Sequence, residues 1–288
     1  TPVLCTPVRI LAIVVITYQR HKGNRNILFY HPIFSPHIII IFEGMQKLFH
    51  YLAIPFYRIW FYLITVSLII IFSPALFVTT LKKDWYPKFY WLARNLWAKP
   101  ILFAMGIPLK VQWTERFKPN QSYMLAPNHT SMLDIMGMLA LSPHPFVFVG
   151  KKQLTQFPIF GFFYKRVCIL VDRDNTQSRI DVYRKAQKRL ENGLSVCIFP
   201  EGGVPPPEIV LDRFKDGAFK MAISHQIPLV PIVFYDHKKL FPFEFFRGRP
   251  GTSRVKVCAF INTKEMLPKE AKTLSDQVRD QMIKDLEA

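Results

Sequence analysis

The chain has 288 residues, half of them hydrophobic and 15% aromatic, with a formal net charge of +18 and a mean hydropathy of +0.14. This length accommodates one catalytic domain with a sizeable core and an additional segment, and the apolar content indicates a membrane-associated protein. The charge predicts an anionic partner. Nucleic acid is disfavoured, because the sequence has no zinc-ligand spacing, no RNA-binding aromatic pattern and no concentrated basic helix beyond residues 179–189. An anionic phospholipid membrane is the expected partner.

Residues 1–44 are predicted to be an N-terminal extension, either disordered or upstream of a natural start at Met45, because their apolar runs are too short to span a bilayer. Residues 45–107 are the predicted membrane-anchoring helical segment. Within it, residues 59–81 carry no charge and are long enough to cross a hydrocarbon core. Pro74 is expected to interrupt this run, and residues 85–107 mix aromatic and basic side chains, as interfacial helices do. Three alternatives remain open: a spanning helix, a hairpin that enters one leaflet, or the core helix of a soluble protein.

After Pro108 short strands alternate with helices, which predicts an α/β domain over residues 108–288, with a largely parallel central sheet flanked by helices. The predicted strands are residues 109–113, 122–126, 146–149, 167–171, 195–199, 229–234 and 254–261, and the predicted helices are residues 132–141, 180–192, 216–225 and 274–286. Ser178 and Asp181 are expected to cap the second of these helices. Sites in parallel sheets lie beyond the carboxyl ends of strands. The loops to search therefore follow Ala126, Val149, Val171 and Phe199.

The first of these loops carries the best candidates for chemistry, His129 and Asp134. On one regular helix, residues five positions apart point roughly 140° apart, so the two can pair only if His129 precedes the helix. Pro127 and the capping residue types Asn128, Thr130 and Ser131 favour that arrangement. Asp134 could then fix the imidazole tautomer and leave the other ring nitrogen as a general base. Spacing alone also allows an unrelated loop histidine beside a helix N-terminal charge.

The remaining loops carry cations and a glycine-rich turn. Singly, each has an ordinary explanation as solvated lysines, a surface ion pair or a turn. Jointly they surround one His-Asp pair with positive charge. The residues are Lys151, Lys152, Arg173, Glu201, Gly202 and Gly203.

The sequence resembles the glycerolipid acyltransferases, most closely those that act on 1-acyl-sn-glycerol-3-phosphate. The order and spacing of five sequence blocks carry this resemblance: residues 128–134, 150–161, 171–173, 199–202 and 228–232. The resemblance implies transfer of a fatty acyl group from acyl-CoA or acyl-carrier protein to the sn-2 hydroxyl of lysophosphatidic acid, giving phosphatidic acid in phospholipid biosynthesis. Independently of the resemblance, the apolar composition predicts a membrane location, and the Lys/Arg-rich side of the anchoring segment places the catalytic domain on the cytoplasmic face. The resemblance also implies no metal, no cofactor and no acyl-enzyme.

The resemblance assigns roles to the loop residues. His129 is the expected base and Asp134 its partner, donors near Gly202 suit an oxyanion, and Glu201 is expected to order the loop or the acceptor's hydroxyls. The expected substrate-binding residues are Asn128, Lys151, Lys152, Arg173, Glu201, Gly202 and Gly203. The chain departs from the family where Gly203 and Val204 replace the usual Thr-Arg, so a customary phosphate-binding arginine is absent there. Outer cation candidates are Arg213 and Lys215.

Other functions remain open. The same chemistry could act on glycerol-3-phosphate, another lysophospholipid or an amino-acid lipid. A non-catalytic basic membrane-binding module would need neither His129 nor Asp134. A metal site built on His129, Asp134 and His144 is disfavoured, because no further well-spaced ligand accompanies them. The four cysteines, widely spaced and without a Cys-x-x-Cys pair, predict buried thiols in a reducing compartment: Cys5, Cys168, Cys197 and Cys258.

Overall fold

A computed structural model describes residues 14–17, 29–32, 36–172 and 175–288. The chain divides into two units, Thr1–Ala53 and Ile54–Ala288. In the first unit, strands β1 (Val14–Thr17) and β2 (Phe29–Pro32) pair antiparallel. Helix α1 (Pro36–Thr79) begins in this unit and continues into the second. Most of residues 1–35 lie outside the described residues, so the interpretation of residues 1–44 as an extension stays a prediction.

The second unit is built on a seven-stranded sheet with strand order β3-β9-β8-β4-β7-β5-β6. Neighbouring strands pair parallel except β8 and β9, which pair antiparallel. The predicted largely parallel α/β domain is therefore confirmed. The central strands β4 and β8 are buried along their whole length, as expected of a sheet covered on both faces. The strands are β3 (Leu109–Trp113), β4 (Met124–Pro127), β5 (Phe146–Lys151), β6 (Ile169–Val171), β7 (Ser195–Cys197), β8 (Leu229–Phe234) and β9 (Ser253–Val257).

Helices cover the sheet in two groups. One core cluster joins the sheet to residues of α1 to α4, and a second joins it to α6, α7 and α9. A π-helical turn, Ala93–Ala98, connects α2 and α3 into one helical segment. The helices are α2 (Tyr86–Leu92), α3 (Lys99–Ala104), α4 (Leu133–Leu141), α5 (Phe160–Val167), α6 (Thr176–Glu191), α7 (Gly217–Ser224), α8 (His237–Leu240) and α9 (Ala271–Glu287).

Two local predictions are wrong. The strand expected from residue 167 begins at Ile169, because α5 occupies the chain up to Val167. The expected capping box of α6 is replaced by Asn175, whose side-chain oxygen accepts the Ser178 N–H at 3.0 Å. The Ser178 hydroxyl instead accepts the N–H of Asp172. Helix α6 begins four residues earlier than expected because this asparagine cap is available there.

The expected break at Pro74 does not occur, and α1 continues to Thr79. Proline removes the hydrogen bond that the carbonyl of Ile70 would accept within the helix. The Ser73 hydroxyl donates to this carbonyl at 2.8 Å and replaces the missing bond. Local side-chain compensation of this kind lets a proline remain within an apolar helix.

Helix α1 has two apolar faces over residues 54–76. One face packs on the rest of the second unit through Ile54, Phe61 and Leu76, which are buried. The stretch Leu52–Thr79 is long and apolar enough to cross a membrane by length and composition, and only 17% of its apolar window is buried. That low share argues against the core helix of a soluble protein. The opposite face exposes large apolar side chains, among them Phe56, Ile59, Leu63, Val66, Ile70 and Phe77.

Candidate active site

The site is centred on the loop between β4 and α4. His129 lies in this loop and Asp134 is the second residue of α4, so the two side chains can meet although they are five positions apart. His129 Nδ1 lies 2.8 Å from Asp134 Oδ2. The aspartate side chain is fully buried, whereas the histidine side chain is 20% exposed. The pairing expected from the loop position of His129 is present, and only the histidine can meet a substrate.

Asp134 is held as an ionised acceptor. Its Oδ2 also accepts the backbone N–H groups of Thr130 at 2.6 Å and Ser131 at 2.8 Å. Burial pushes the pKa of Asp134 upward, but hydrogen bonds from His129 and His237 outweigh burial and lower the pKa to about 2. Because an ionised carboxylate only accepts, the proton of a neutral His129 must sit on Nδ1. Its Nε2 is then the free lone pair required of a general base.

A second histidine, not singled out from the sequence, completes this cluster. His237, in α8, is fully buried, and its Nδ1 lies 2.7 Å from Asp134 Oδ1. Its Nε2 lies 2.7 Å from the hydroxyl of Ser253. Since His237 is 103 residues from Asp134, no local spacing could have linked the two. Asp134 therefore binds one histidine through each of its oxygens.

Asn128 has a structural role rather than the expected contact with substrate. It is fully buried, and its carboxamide both donates to the carbonyl of Phe234 at 3.1 Å and accepts the N–H of Phe234 at 2.8 Å. Ser131 is also buried, and its hydroxyl donates to the carbonyl of Phe241 at 2.5 Å. These bonds fix the His129 loop to the last residue of β8 and to the chain that follows it.

Glu201 orders the same loop from the other side. One carboxyl oxygen accepts the N–H of His129 at 2.6 Å, and the other accepts the N–H of Asp212 at 3.1 Å. Burial raises the pKa of Glu201 to about 7, although both of these hydrogen bonds act to lower it. Of the two roles expected for Glu201, this geometry supports the ordering of the loop.

Phe199 and the glycine turn after it lie against the histidine. The rings of His129 and Phe199 stack with centroids 4.0 Å apart. Gly202 has a φ of +76° and donates its N–H to the Phe199 carbonyl, so that N–H is already used within the turn. Among the described residues, the N–H of Gly203 has no hydrogen-bond partner. Gly203 is therefore a better candidate than Gly202 for donating to an oxyanion.

A cavity of about 780 Å³ opens beside His129. The cavity is mostly apolar, with side chains from α1, α2, α5 and the sheet in its wall. Its cations are Lys151, Lys215 and Lys220. Apolar residues that line it include Ile69, Leu76, Phe89, Trp97, Phe148 and Phe163.

Only some of the cationic residues predicted to bind substrate line the cavity. Lys151 and Lys152 are both exposed, and of the two only Lys151 lines the cavity. Arg173 lies outside the described residues. Of the two outer candidates, Lys215 lines the cavity and Arg213 does not. Lys215 reaches the glycine turn, since a Cβ on Gly202 would lie 2.9 Å from its Nζ.

The described part of the chain holds no group of three His, Cys, Asp or Glu side chains placed to bind a metal ion. His144 instead packs edge-on against Phe117. A metal site that joins His144 to His129 and Asp134 therefore has no geometric support. Cys197 and Cys258 are buried thiols and Cys168 is half-buried, while Cys5 lies outside the described residues.

Comparison with known proteins agrees with this geometry. The family model described as Acyltransferase matches residues 108–235. The chain is 31% identical over 185 residues to human 1-acyl-sn-glycerol-3-phosphate acyltransferase alpha, a match that covers 64% of this chain and 65% of the human protein. It is 26% identical over 196 residues to 1-acyl-sn-glycerol-3-phosphate acyltransferase of Saccharomyces cerevisiae, covering 67% of this chain and 64% of the yeast protein. Both matches span just under two thirds of the relative's length.

The fold is similar to the crystal structure of the 1-acyl-sn-glycerophosphate (LPA) acyltransferase PlsC from Thermotoga maritima, with a TM-score of 0.67. That alignment has 19% sequence identity and covers 82% of this chain and 96% of the other. A likeness at this identity shows a shared fold. Separately from this likeness, the family model identifies residues 108–235 as an acyltransferase domain.

Proposed function

We propose that the protein transfers a fatty acyl group from the thioester of acyl-CoA or acyl-carrier protein to the sn-2 hydroxyl of 1-acyl-glycerol-3-phosphate, giving phosphatidic acid. The observation that carries this proposal is the His129–Asp134 pair, whose histidine lines a large, mostly apolar cavity. The similarity to proteins named 1-acyl-sn-glycerol-3-phosphate acyltransferases supports the choice of acceptor.

In the proposed reaction, His129 Nε2 removes the proton of the acceptor hydroxyl as the oxygen attacks the thioester carbonyl. Asp134 stabilises the imidazolium that forms. The N–H of Gly203 faces the developing oxyanion, a type of contact that stabilises tetrahedral intermediates. When the intermediate collapses, the carbon–sulfur bond breaks and the thiolate takes the proton from His129. The chemistry requires no metal, cofactor or acyl-enzyme.

The cavity fits both parts of such an acceptor. Its apolar wall suits an acyl chain, and the exposed side chains of Lys151 and Lys215 supply positive charge for a phosphate at its solvent-facing side. Lys215 also lies over Gly202, next to the turn where Val204 replaces the arginine expected from the family pattern. We therefore assign part of the phosphate-binding role of that arginine to Lys215.

The exposed apolar face of α1 supports a membrane location. Residues 54–76 of α1 extend for about 33 Å, close to the thickness of a hydrocarbon core. Because this length packs along the domain, α1 could cross a bilayer only by taking the domain into it. We therefore propose that α1 embeds its exposed face in one leaflet, on the cytoplasmic side where anionic lipids attract a chain of charge +18.

The test uses the purified full chain with acyl-CoA and acyl-carrier protein against a panel of lysolipids, following release of free thiol. Thiol release that depends on lysophosphatidic acid, with phosphatidic acid as product, supports the proposal. If free thiol is released only with glycerol-3-phosphate or with another lysolipid, that compound is the acceptor instead of lysophosphatidic acid. Vesicle binding without thiol release under any condition would favour a non-catalytic membrane-binding module. His129→Ala is the control for release that does not come from this site.

A further inference from the structure

A short loop after α8 exposes three phenylalanines within four residues. Phe243 and Phe246 are each 59% exposed and Phe245 is 48% exposed. We call residues 242–249 the aromatic loop. It lies beyond the family match, which ends at residue 235, and nothing in the proposed chemistry uses it.

The aromatic loop is held in shape from inside by a buried cation. Arg58 of α1 is 3% exposed, and the two N–H groups on its Nη2 are shared among the backbone carbonyls of Pro242 at 2.5 Å, Glu244 at 2.6 Å and Arg247 at 2.7 Å. Its guanidinium also lies 4.2 Å from the ring centre of Phe241. Three carbonyls of the loop are therefore satisfied within the protein, while its aromatic rings remain exposed.

The aromatic loop also adjoins other exposed apolar side chains. Phe241, at its base, packs on Phe61 of α1 with ring centres 4.4 Å apart, and the neighbouring α1 residues Phe56, Ile59 and Trp60 are exposed. Beyond the loop, the N–H of Gly251 donates to the carbonyl of Gly106, and Phe103 of α3 is 87% exposed. The loop, the first part of the packed α1 stretch and the end of α3 thus contribute to one exposed aromatic surface.

We propose that the aromatic loop is a second membrane contact, which inserts its phenylalanines into the lipid interface beside α1. Phenylalanine rings on an interfacial surface enter the boundary between headgroups and acyl chains. The exposed Arg249 suits a lipid phosphate, while Arg247 pairs with Glu244 of the same loop at 3.1 Å. Backbone carbonyls that enter an apolar phase need partners, and Arg58 already supplies them. The proposal rests on the proposed membrane location but not on the proposed chemistry.

A lipid interface fits this surface better than a protein partner does. The exposed apolar side chains continue from the loop onto α1, whose stretch Leu52–Thr79 has the length and composition of a membrane segment. A protein partner on the loop alone would leave that neighbouring apolar face in water. Arg58 belongs to the buried face of α1 and contacts the aromatic loop. The position of the loop is therefore fixed relative to the exposed apolar face of α1.

The test places a fluorophore on Phe245→Cys and, as a matched control, on Gln277→Cys. Gln277 is an exposed residue of α9, whose buried side chains join the core cluster other than that of α1. The full chain is reconstituted into phosphatidylcholine–phosphatidylglycerol vesicles, and wild-type protein treated with the same reagent supplies the background. Fluorescence is quenched with lipids that carry a nitroxide on the acyl chain, and separately with aqueous iodide.

The expected result is that the label at position 245 loses most of its fluorescence to the acyl-chain nitroxide and little to iodide, while the label at position 277 shows the reverse. A label at position 245 that behaves like the one at 277 would overturn the proposal. Protection of position 245 from both quenchers would also overturn it, since another protein surface or a second copy would then cover the loop. Thiol release measured on the same samples separates failure of the loop proposal from failure of the proposed chemistry.

Discussion

His237 Nδ1 lies 2.7 Å from Asp134 Oδ1, on the carboxylate oxygen that His129 does not contact. The aspartate is therefore oriented by a fully buried imidazole, which is itself bonded to the Ser253 hydroxyl. Its surroundings leave little room, because a Cβ on Gly137 would lie 2.8 Å from His237 Cε1. The carboxylate that pairs with His129, the proposed general base, is thus held by a residue from another part of the chain.

Replacing His237 tests this dependence. His237→Leu removes the donor to Asp134 and leaves a buried carboxylate oxygen with an unmade bond, which costs about 1–3 kcal/mol, so turnover should fall about tenfold or more. His237→Asn keeps an N–H donor near the position of Nδ1 and should recover part of the loss. The measurement is turnover against pH, with the apparent KM for the acyl donor. A folded Leu variant with normal turnover and an unchanged pH profile would show that His237 only fills space.

His129→Ala should abolish acyl transfer, with a loss of the order of 10²-fold or more, because it removes the general base. Asp134→Asn should also be severely impaired, since the tautomer and the imidazolium both lose their partner. Thiol release and product formation measure the effect, and vesicle binding reports whether the protein remains intact. Near-normal turnover by His129→Ala would rule out the proposed mechanism.

Single substitutions can distinguish lysines that line the cavity from a lysine that does not. Lys151→Ala and Lys215→Ala should each raise the apparent KM for lysophosphatidic acid by about tenfold, because each removes a charge-assisted contact from the cavity. Lys152→Ala is the matched control, since Lys152 adjoins Lys151 in sequence but does not line the cavity. The apparent KM for the acyl donor should change much less. Equal effects of all three variants would point to a general surface charge instead of a phosphate site.

Glu201 should make folding stability depend on pH near neutrality. Its folded-state pKa is raised from 4.5 to about 7, so in this window the folded protein holds a proton that the unfolded chain has lost. Stability should therefore fall as pH rises from about 4.5 to about 7, by up to about 3 kcal/mol. Glu201→Gln cannot ionise and should remove that part of the slope. Denaturant unfolding of both proteins in the same detergent, across this pH range, measures the difference; parallel curves would contradict the assignment.

The helices and strands that could be predicted from the sequence are those determined by neighbouring residues in the chain. The bounds of β3 and β8 agree with expectation: each strand follows a proline, β3 alternates apolar and polar residues, and β8 is apolar throughout. The His129–Asp134 pair could also be predicted, since its geometry depends only on where α4 begins. Helix α5 was missed because its eight residues are too few to show a clear helical period.

Residues joined by tertiary contacts could not be found in this way. Arg58 meets carbonyls more than 180 residues downstream, and its position in an apolar run gave no sign of a partner. Lys215 reaches the cavity because its loop folds back, with its N–H bonded to the carbonyl of Pro200. Conversely, Asn128 has the residue type and position of a substrate ligand, yet pairing with Phe234 uses its carboxamide. Strand order decides these contacts, and spacing along the chain does not report it.

The antiparallel pairing of β8 and β9 has a mechanical consequence for the site. Because β9 runs against β8, the first residue of β9, Ser253, lies at the edge where β4 and β8 end. In a wholly parallel sheet the neighbouring strand would end at this edge and continue into a loop. The reversal places Ser253, the outer end of the series of contacts Ser253–His237–Asp134–His129, within a strand, so the series that ends at the loop histidine starts from the backbone of the sheet.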